Sequence, residues 1–441
     1  MILKNERMLK STEESEAAQE AAIYAKVTRR LIPLLFVSYV VAYLDRVNVG
    51  FAKLQMLSDL RFSDTVFGMG AGIFFIGYFL FEIPSNIVLH RVGARVWIAR
   101  IMITWGLISG AMIFINTPLT FYIVRFFLGA AEAGFFPGVI LYITYWYPSQ
   151  RRGKITTLFM TAVPLSGVIG GPLSGWIMQN MPGVGGMAGW QWMFVAEALP
   201  SIAVGVVVLF YLQDRIRDAN WLTEAEKQVL EAHIAQEAGR KSEHALAGMF
   251  ANPRVWLMAL IYFCLVMGLY GVGFWLPTLI KASGVKSALD VGLLSAIPYA
   301  CATVVMLLVS HSADARRERR WHVAIPALAG GAGLLLSTMY ADNTWLALAA
   351  LTLATAGIIT SLPLFWSLPT AILGGTAAAA GIALINSLGN LAGFVSPYLV
   401  GWLKDATHST NIGMLALAGS LVLGAVLTLV VPAGLVNEAV D

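Results

Sequence analysis

The sequence predicts an all-α polytopic membrane protein, with twelve transmembrane helices in two six-helix halves. Three observations carry that expectation. Of 441 residues, 58% are hydrophobic and only 12% charged, about half the charged share of a soluble domain. The apolar residues gather in twelve runs, each close to the roughly 20 residues that a helix needs to cross hydrocarbon. A charged stretch of about 40 residues divides the sixth run from the seventh.

In chain order, residues 1–28 are polar and acidic and form the expected N-terminal tail. They lack the apolar segment of a cleavable signal peptide. The first half is 29–212, with runs at 31–52, 66–89, 96–115, 118–147, 154–179 and 191–212. The linker, 213–252, has a helical stretch at 221–227 that Thr223 is placed to cap. Its His233 and His244 read as surface residues. The second half is 253–433, with runs at 255–280, 289–311, 322–341, 344–366, 377–403 and 411–432. Residues 434–441 form a second tail. The halves echo one another: Gly171-Pro172-Leu173-Ser174-Gly175-Trp176 resembles the stretch from Ser396-Pro397 to Gly401-Trp402. Paired halves of this kind place a site between them near the midplane.

Charge placement predicts orientation. Basic residues cluster in alternate connections, at Arg91, Arg95 and Arg100, at Arg151, Arg152 and Lys154, and at Arg316, Arg317, Arg319 and Arg320. The opposite connections hold Lys53, Arg61, Lys281, Lys286 and Lys404. Both termini and the linker are therefore expected to be cytoplasmic. The net charge of +4 reflects these loops, and no nucleic-acid partner is expected. Cys264 and Cys301 lie in apolar runs and suggest neither a disulfide nor a metal site. No cofactor is called for.

Ionisable residues inside the runs are few: Asp45, Arg46, Glu82, Arg125, Glu132 and Glu197. A charge at the bilayer centre costs roughly 2.5–3.5 kcal/mol on insertion scales, so such residues face a bundle interior or a water-filled path. At a rise of about 1.5 Å per residue, Asp45 and Arg125 come out nearly level, with Glu132 one to two turns closer to the cytoplasm. Arg46 is a candidate partner for a substrate carboxylate, because a guanidinium binds carboxylates bidentately. Arg125 is expected either to contact substrate or to hold Asp45. Asp45 and Glu132 are candidate proton carriers. The bland alternative is a static ion-pair network bracing spans 1 and 4. Glu82 reads as a residue that caps a broken helix or binds loop residues, and Glu197 as a helix-end residue.

Uncharged polar groups supply the other wall. Around the tenth and eleventh runs these include Trp366, Ser367, Thr370, Asn386, Ser387 and Asn390. Asn386 and Asn390 share one helix face. Asn390 is a candidate substrate contact or an interhelical one. Tyr43 and Tyr78 offer hydroxyls or ring faces, against the commoner packing role. The glycines of the fourth and fifth runs read as close-packing residues.

At these residues the chain resembles the major facilitator superfamily, and within it the anion:cation symporter family. The resemblance rests on Tyr43-Leu44-Asp45-Arg46-Val47-Asn48, Glu82-Ile83-Pro84-Ser85-Asn86, the stretch from Arg125 to Gly134, and the stretch from Gly381 to Asn390. It looks nearest to the bacterial branch that carries tartrate, 4-hydroxyphenylacetate and similar acids. The resemblance implies an inner-membrane monomer importing a small organic carboxylate with protons. Arg46 then binds the anion, and Asp45 and Glu132 carry the proton. In the superfamily's loop signature the usual acid after the second run is replaced by His90, whereas Asp314 keeps it after the eighth.

Two other readings stand beside this one. A drug or metabolite exporter of the same fold would favour an acidic or aromatic cavity without a buried cation. A non-transporting carboxylate receptor would carry an appended signalling domain. No metal-ligand cluster, nucleophile elbow or phosphate loop appears among the runs, so an enzyme is not expected.

Overall fold

The computed structural model describes residues 2–238, 252–372 and 375–437, with side chains undescribed at 2–16, 149, 150, 154, 157, 236–238 and 375–380. Expectations for His244, for the rest of 239–251 and for 438–441 lie outside these residues. Among the described residues the chain is helical, without strands. Twelve helical spans are long and apolar enough to cross a membrane. They are span 1 (Ala17–Leu60), span 2 (Asp64–Val92), span 3 (Ala94–Phe114), span 4 (Pro118–Trp146), span 5 (Arg151–Asn180), span 6 (Gly189–Tyr211), span 7 (Pro253–Ala282), span 8 (Ala288–Arg316), span 9 (Arg320–Met339), span 10 (Thr344–Ile372), span 11 (Gly381–Thr407) and span 12 (Asn411–Val430). The end of the bundle where span 1 begins is called here the near end, and the other the far end.

The spans start where the chain offers caps. Ser63 accepts from the Val66 amide at span 2, and Thr117 with Thr120 forms a reciprocal box ahead of Pro118 at span 4. Asn252, Ser287 and Asn343 do the same for spans 7, 8 and 10. Span 1 begins earlier than expected. Its helix runs through Ile2–Val47, so residues 17–28 are helical rather than a free tail. The reason is an apolar stripe, Ile23, Tyr24, Val27, Leu31 and Leu35, all buried. This extension packs on the linker helix Glu224–Ala238. Lys26 pairs with Glu226 at 2.8 Å, and the Tyr24 hydroxyl lies 3.1 Å from His233 Nδ1. His233 is thus half-buried in that contact, not a free surface residue.

Span 4 is broken at Ala133–Gly134, where the backbone leaves the helical region. Spans 1, 5, 10 and 11 carry smaller irregularities at Asn48, Thr161, Trp366 and Leu391, each of which keeps helical dihedral angles. Span 5 runs unbroken through Pro172. Gly134 has φ +87°, a left-handed conformation, and a side chain there would collide with Ser85 of span 2.

The far end is shut by backbone contact between the halves. Gly68, Gly72 and Gly401 let spans 2 and 11 touch, and Gly171, Gly175 and Gly292 do so for spans 5 and 8. A polar lock lies over the first contact. Asp64 binds Lys53 at 2.7 Å and Lys404 at 3.0 Å, and Asp405 accepts from the Thr65 amide at 2.7 Å. Lys53 is buried 3.1 Å over the Trp275 ring, rather than lying in a solvated connection. The near end is open, onto a cavity of about 1180 Å³ walled by spans 2, 4, 5, 10 and 11.

The near-end loops supply an acid that the sequence pattern lacked. Asp214, just after span 6, accepts from the Arg95 amide at 2.8 Å and faces its guanidinium at 3.7 Å. His90 therefore leaves the loop without an acid only in the linear sequence. After span 8, Arg319 pairs with Asp314 at 2.7 Å.

Candidate functional site

Beyond the vestibule, the cavity narrows to a pocket of about 100 Å³ between the halves. Spans 1 and 2 contribute Tyr39, Tyr43, Arg46 and Tyr78. Spans 7, 10 and 11 contribute Tyr262, Tyr270, Trp366, Asn386 and Asn390. Phe136, Met160, Pro363, Trp366 and Asn386 line both the pocket and the vestibule, so the pocket is the vestibule's inner end.

Arg46 is the cation of this pocket and is 8% exposed. Its Nε donates to Glu132 at 3.1 Å, and its Nη2 binds the same carboxylate oxygen. Its Nη1 donates to the Tyr270 hydroxyl at 3.3 Å, which joins the first half to the second. The rings of Phe74, Tyr78 and Tyr43 surround the guanidinium at 5.5, 5.4 and 5.8 Å. Glu132 is the last residue of the helix Pro118–Glu132, immediately before the break at Ala133–Gly134. The break therefore sets where that carboxylate lies.

Asp45 points elsewhere. It accepts from Trp105 Nε1 at 3.0 Å, from Ser109 at 3.1 Å and from Ser201. These donors belong to spans 3 and 6, so Asp45 is enclosed within the first half behind Arg46. Arg125 does not hold it, contrary to one expectation. Arg125 is fully buried and donates to the carbonyls of Gly70 at 3.1 Å and Ala71 at 3.3 Å, tying span 4 to span 2. It is not among the pocket-lining residues.

Three further expectations change. Ser367 is not among the pocket-lining residues, and its hydroxyl donates to the Leu364 carbonyl at 2.6 Å. Glu82 caps no helix end, since span 2 continues through Pro84 to Val92. Instead it lines the vestibule and receives Asn386 and Ser387 of span 11 at 3.4 Å each. Glu197 lies within the helix of span 6 and accepts from Ser174 of span 5 at 2.6 Å. Tyr43, Tyr78, Trp366 and Asn390 do line the pocket. Sequence reasoning missed Tyr39, Tyr262 and Tyr270. The one available signal was the Tyr262–Tyr270 spacing of eight, which repeats one helix face.

Two six-helix halves enclose a pocket that is closed at one end and open at the other. A family model of the Major Facilitator Superfamily matches residues 35–397. The chain belongs to the major facilitator superfamily. This facilitator is 48% identical over 419 residues to a putative metabolite transport protein, NicT, of Pseudomonas putida, covering 95% of this chain and 96% of that one. It is 51% identical over 413 residues to a putative tartrate transporter of Agrobacterium vitis, covering 93% and 91%. A quinolone resistance transporter of Acinetobacter baumannii is 41% identical, covering 95% and 97%. Among solved structures, an inward-facing, occupied bacterial homologue of the lysosomal transporter Spinster superposes with a TM-score of 0.75 at 15% identity, covering 91% of this chain and 96% of that one. The Escherichia coli xylose transporter XylE, partially occluded and inward-open, gives 0.72 at 18% identity, covering 91% and 97%. These two establish likeness of fold. The facilitator is a multi-pass membrane transporter of small molecules, and not an enzyme.

Proposed function

We propose that this facilitator imports a small organic carboxylate together with protons, across a bacterial inner membrane, as a monomer. The observation that carries the reading is the pair that Arg46, on the pocket wall, makes with the buried Glu132. Glu132 already neutralises this guanidinium, so a substrate anion competes with it for the donors of Arg46. An incoming substrate anion displaces Glu132 from Arg46. The freed, buried Glu132 is then neutralised by a proton, since an unpaired carboxylate is costly there. Substrate and proton thereby occupy the site together and leave together. Asp45 is the second proposed carrier. Three neutral donors face it, no cation pairs with it among the described residues, and it moves with Arg46 on span 1.

Basic residues at the near-end connections support a cytoplasmic near end, with both termini there. The open vestibule then faces the cytoplasm. A relative named as a tartrate transporter supports the carboxylate class. Export of lipophilic cations fits less well, because Arg46 stands in the path.

The test is uptake into proteoliposomes. Wild type is expected to accumulate carboxylate only under an inward proton gradient. Glu132→Gln is expected to lose that accumulation while still exchanging internal for external substrate. Uptake by wild type that ignores the gradient overturns the coupling.

A further inference from the structure

We propose that the pocket selects a carboxylate borne on a single flat ring, with Tyr262 and Trp366 as the seat of the ring and Arg46 as the partner of its charge. This rests on the carboxylate reading above and commits it to a substrate class.

Charge count is the first argument. Arg46 is the single charged residue among those lining the pocket. One guanidinium matches one carboxylate. A dicarboxylate would carry its second charge into a pocket with no cation to receive it, where burial of an unpaired ion is strongly unfavourable.

The second argument is the nature of the walls. Five tyrosines and a tryptophan line the pocket, against two amides, Asn386 and Asn390. Asn386 is already engaged with Glu82. Tyrosine hydroxyls and Asn390 can bond a few substrate hydroxyls, but the walls that carry them are rings. A flat ring needs faces and edges, and these walls offer them.

The third argument is local construction. Tyr262 stacks on Phe365 with centroids 5.0 Å apart at 19°, and packs against Trp366 at 4.8 Å. Its ring occupies the space that a side chain at residue 389 of span 11 would fill, so Gly389 is what admits it. This places a stacked aromatic corner across the pocket from Arg46, on spans 7 and 10. A pocket of about 100 Å³ is smaller than the roughly 300 Å³ at which drug-sized sites begin, and suits one ring.

The test uses the full-length transporter in proteoliposomes, with benzoate, pyridine-3-carboxylate, tartrate and gluconate as probes of binding and of counterflow. Both ring acids are expected to compete at least tenfold better than tartrate or gluconate. Tyr262→Gln is expected to weaken the ring acids tenfold or more without weakening gluconate. Tyr262→Phe, which keeps the ring, is expected to retain them, and this also controls for folding. A wild type that prefers tartrate or gluconate overturns the inference and leaves carboxylate transport standing. Equal losses for all four probes in Tyr262→Gln likewise overturn it. Failure to bind any carboxylate overturns both readings.

Discussion

Asp45 and Arg46 are neighbours in sequence and strangers in space. Successive helical residues are turned by about 100°, so one faces spans 3 and 6 and the other faces span 4 and the pocket. Counting residues along a helix gave their depth but not this direction, and so it paired Asp45 with Arg125. The same limit hid Arg125, whose charge is spent on the carbonyls of Gly70 and Ala71. The two arginines should therefore fail differently. Arg46→Lys keeps the charge but loses the planar fork, so carboxylate affinity should fall at least tenfold in binding measurements while thermal stability changes little. Arg125→Ala should lose about 3 kcal/mol of stability, from two charged-donor bonds at roughly 1.5 kcal/mol each, with affinity per folded molecule retained. Melting in detergent and ligand titration together separate the two. Arg46, Tyr43 and Tyr78 were legible because polar groups at membrane depth are conspicuous. Tyr262 and Tyr270 were not, because an aromatic residue in an apolar helix reads as packing until its neighbours are known.

Helix irregularities lie beside the side chains that converge on the pocket. Glu132 directly precedes the break in span 4, where Ala133 leaves the helical region and Gly134 is left-handed. Arg46 and Asn390 lie within two residues of Asn48 and Leu391, and Trp366 is itself such a position, a single residue with helical dihedral angles between two helical segments. The glycines of span 4 read as packing residues in the sequence, and the left-handed turn at Gly134 shows only in the structure. The smaller irregularities depend on packing between spans, which local propensity does not encode. Pro172 sits inside a continuous helix. Gly134→Ala is therefore expected to be costly. The left-handed conformation alone costs a non-glycine residue roughly 1–2 kcal/mol, and the added Cβ meets Ser85. It should lower thermal stability by at least that amount and disturb proton coupling through Glu132, whereas Gly153→Ala, at an open position, should do neither.

At the scale of the molecule, twelve spans and the divide after the sixth were plain from apolar runs and charge. The docking of the first helix on the linker was not, since it turns on a stripe within a segment that is polar on average. Glu226 is held below the usual carboxylate range by its hydrogen bond to Lys26 and by the Thr223 amide. A depressed carboxyl stabilises the folded form above its unfolded value, near pH 4.3, and that help is lost as pH falls through the folded value. Protection against hydrogen exchange across residues 224–238, corrected for the slower intrinsic exchange in acid, should therefore fall below about pH 4 before that of the spans. The far end carries the larger wager. Alternating access requires spans 2 and 11 to part there, and parting them breaks Asp64 from Lys404, and Asp405 from the Asp64 and Thr65 amides. Removing the charge on residue 64 lowers the cost of opening and leaves the glycine contacts of the closed form intact. With Cys264 and Cys301 first replaced by serine, spin labels at Arg61 and Ser409 report the separation. Asp64→Asn should enrich the longer distance, and adding leucine at Gly68, which drives span 2 against Pro397, should enrich it further. An unchanged distance distribution in both variants would show that the polar lock and the glycine seam do not hold the far end shut.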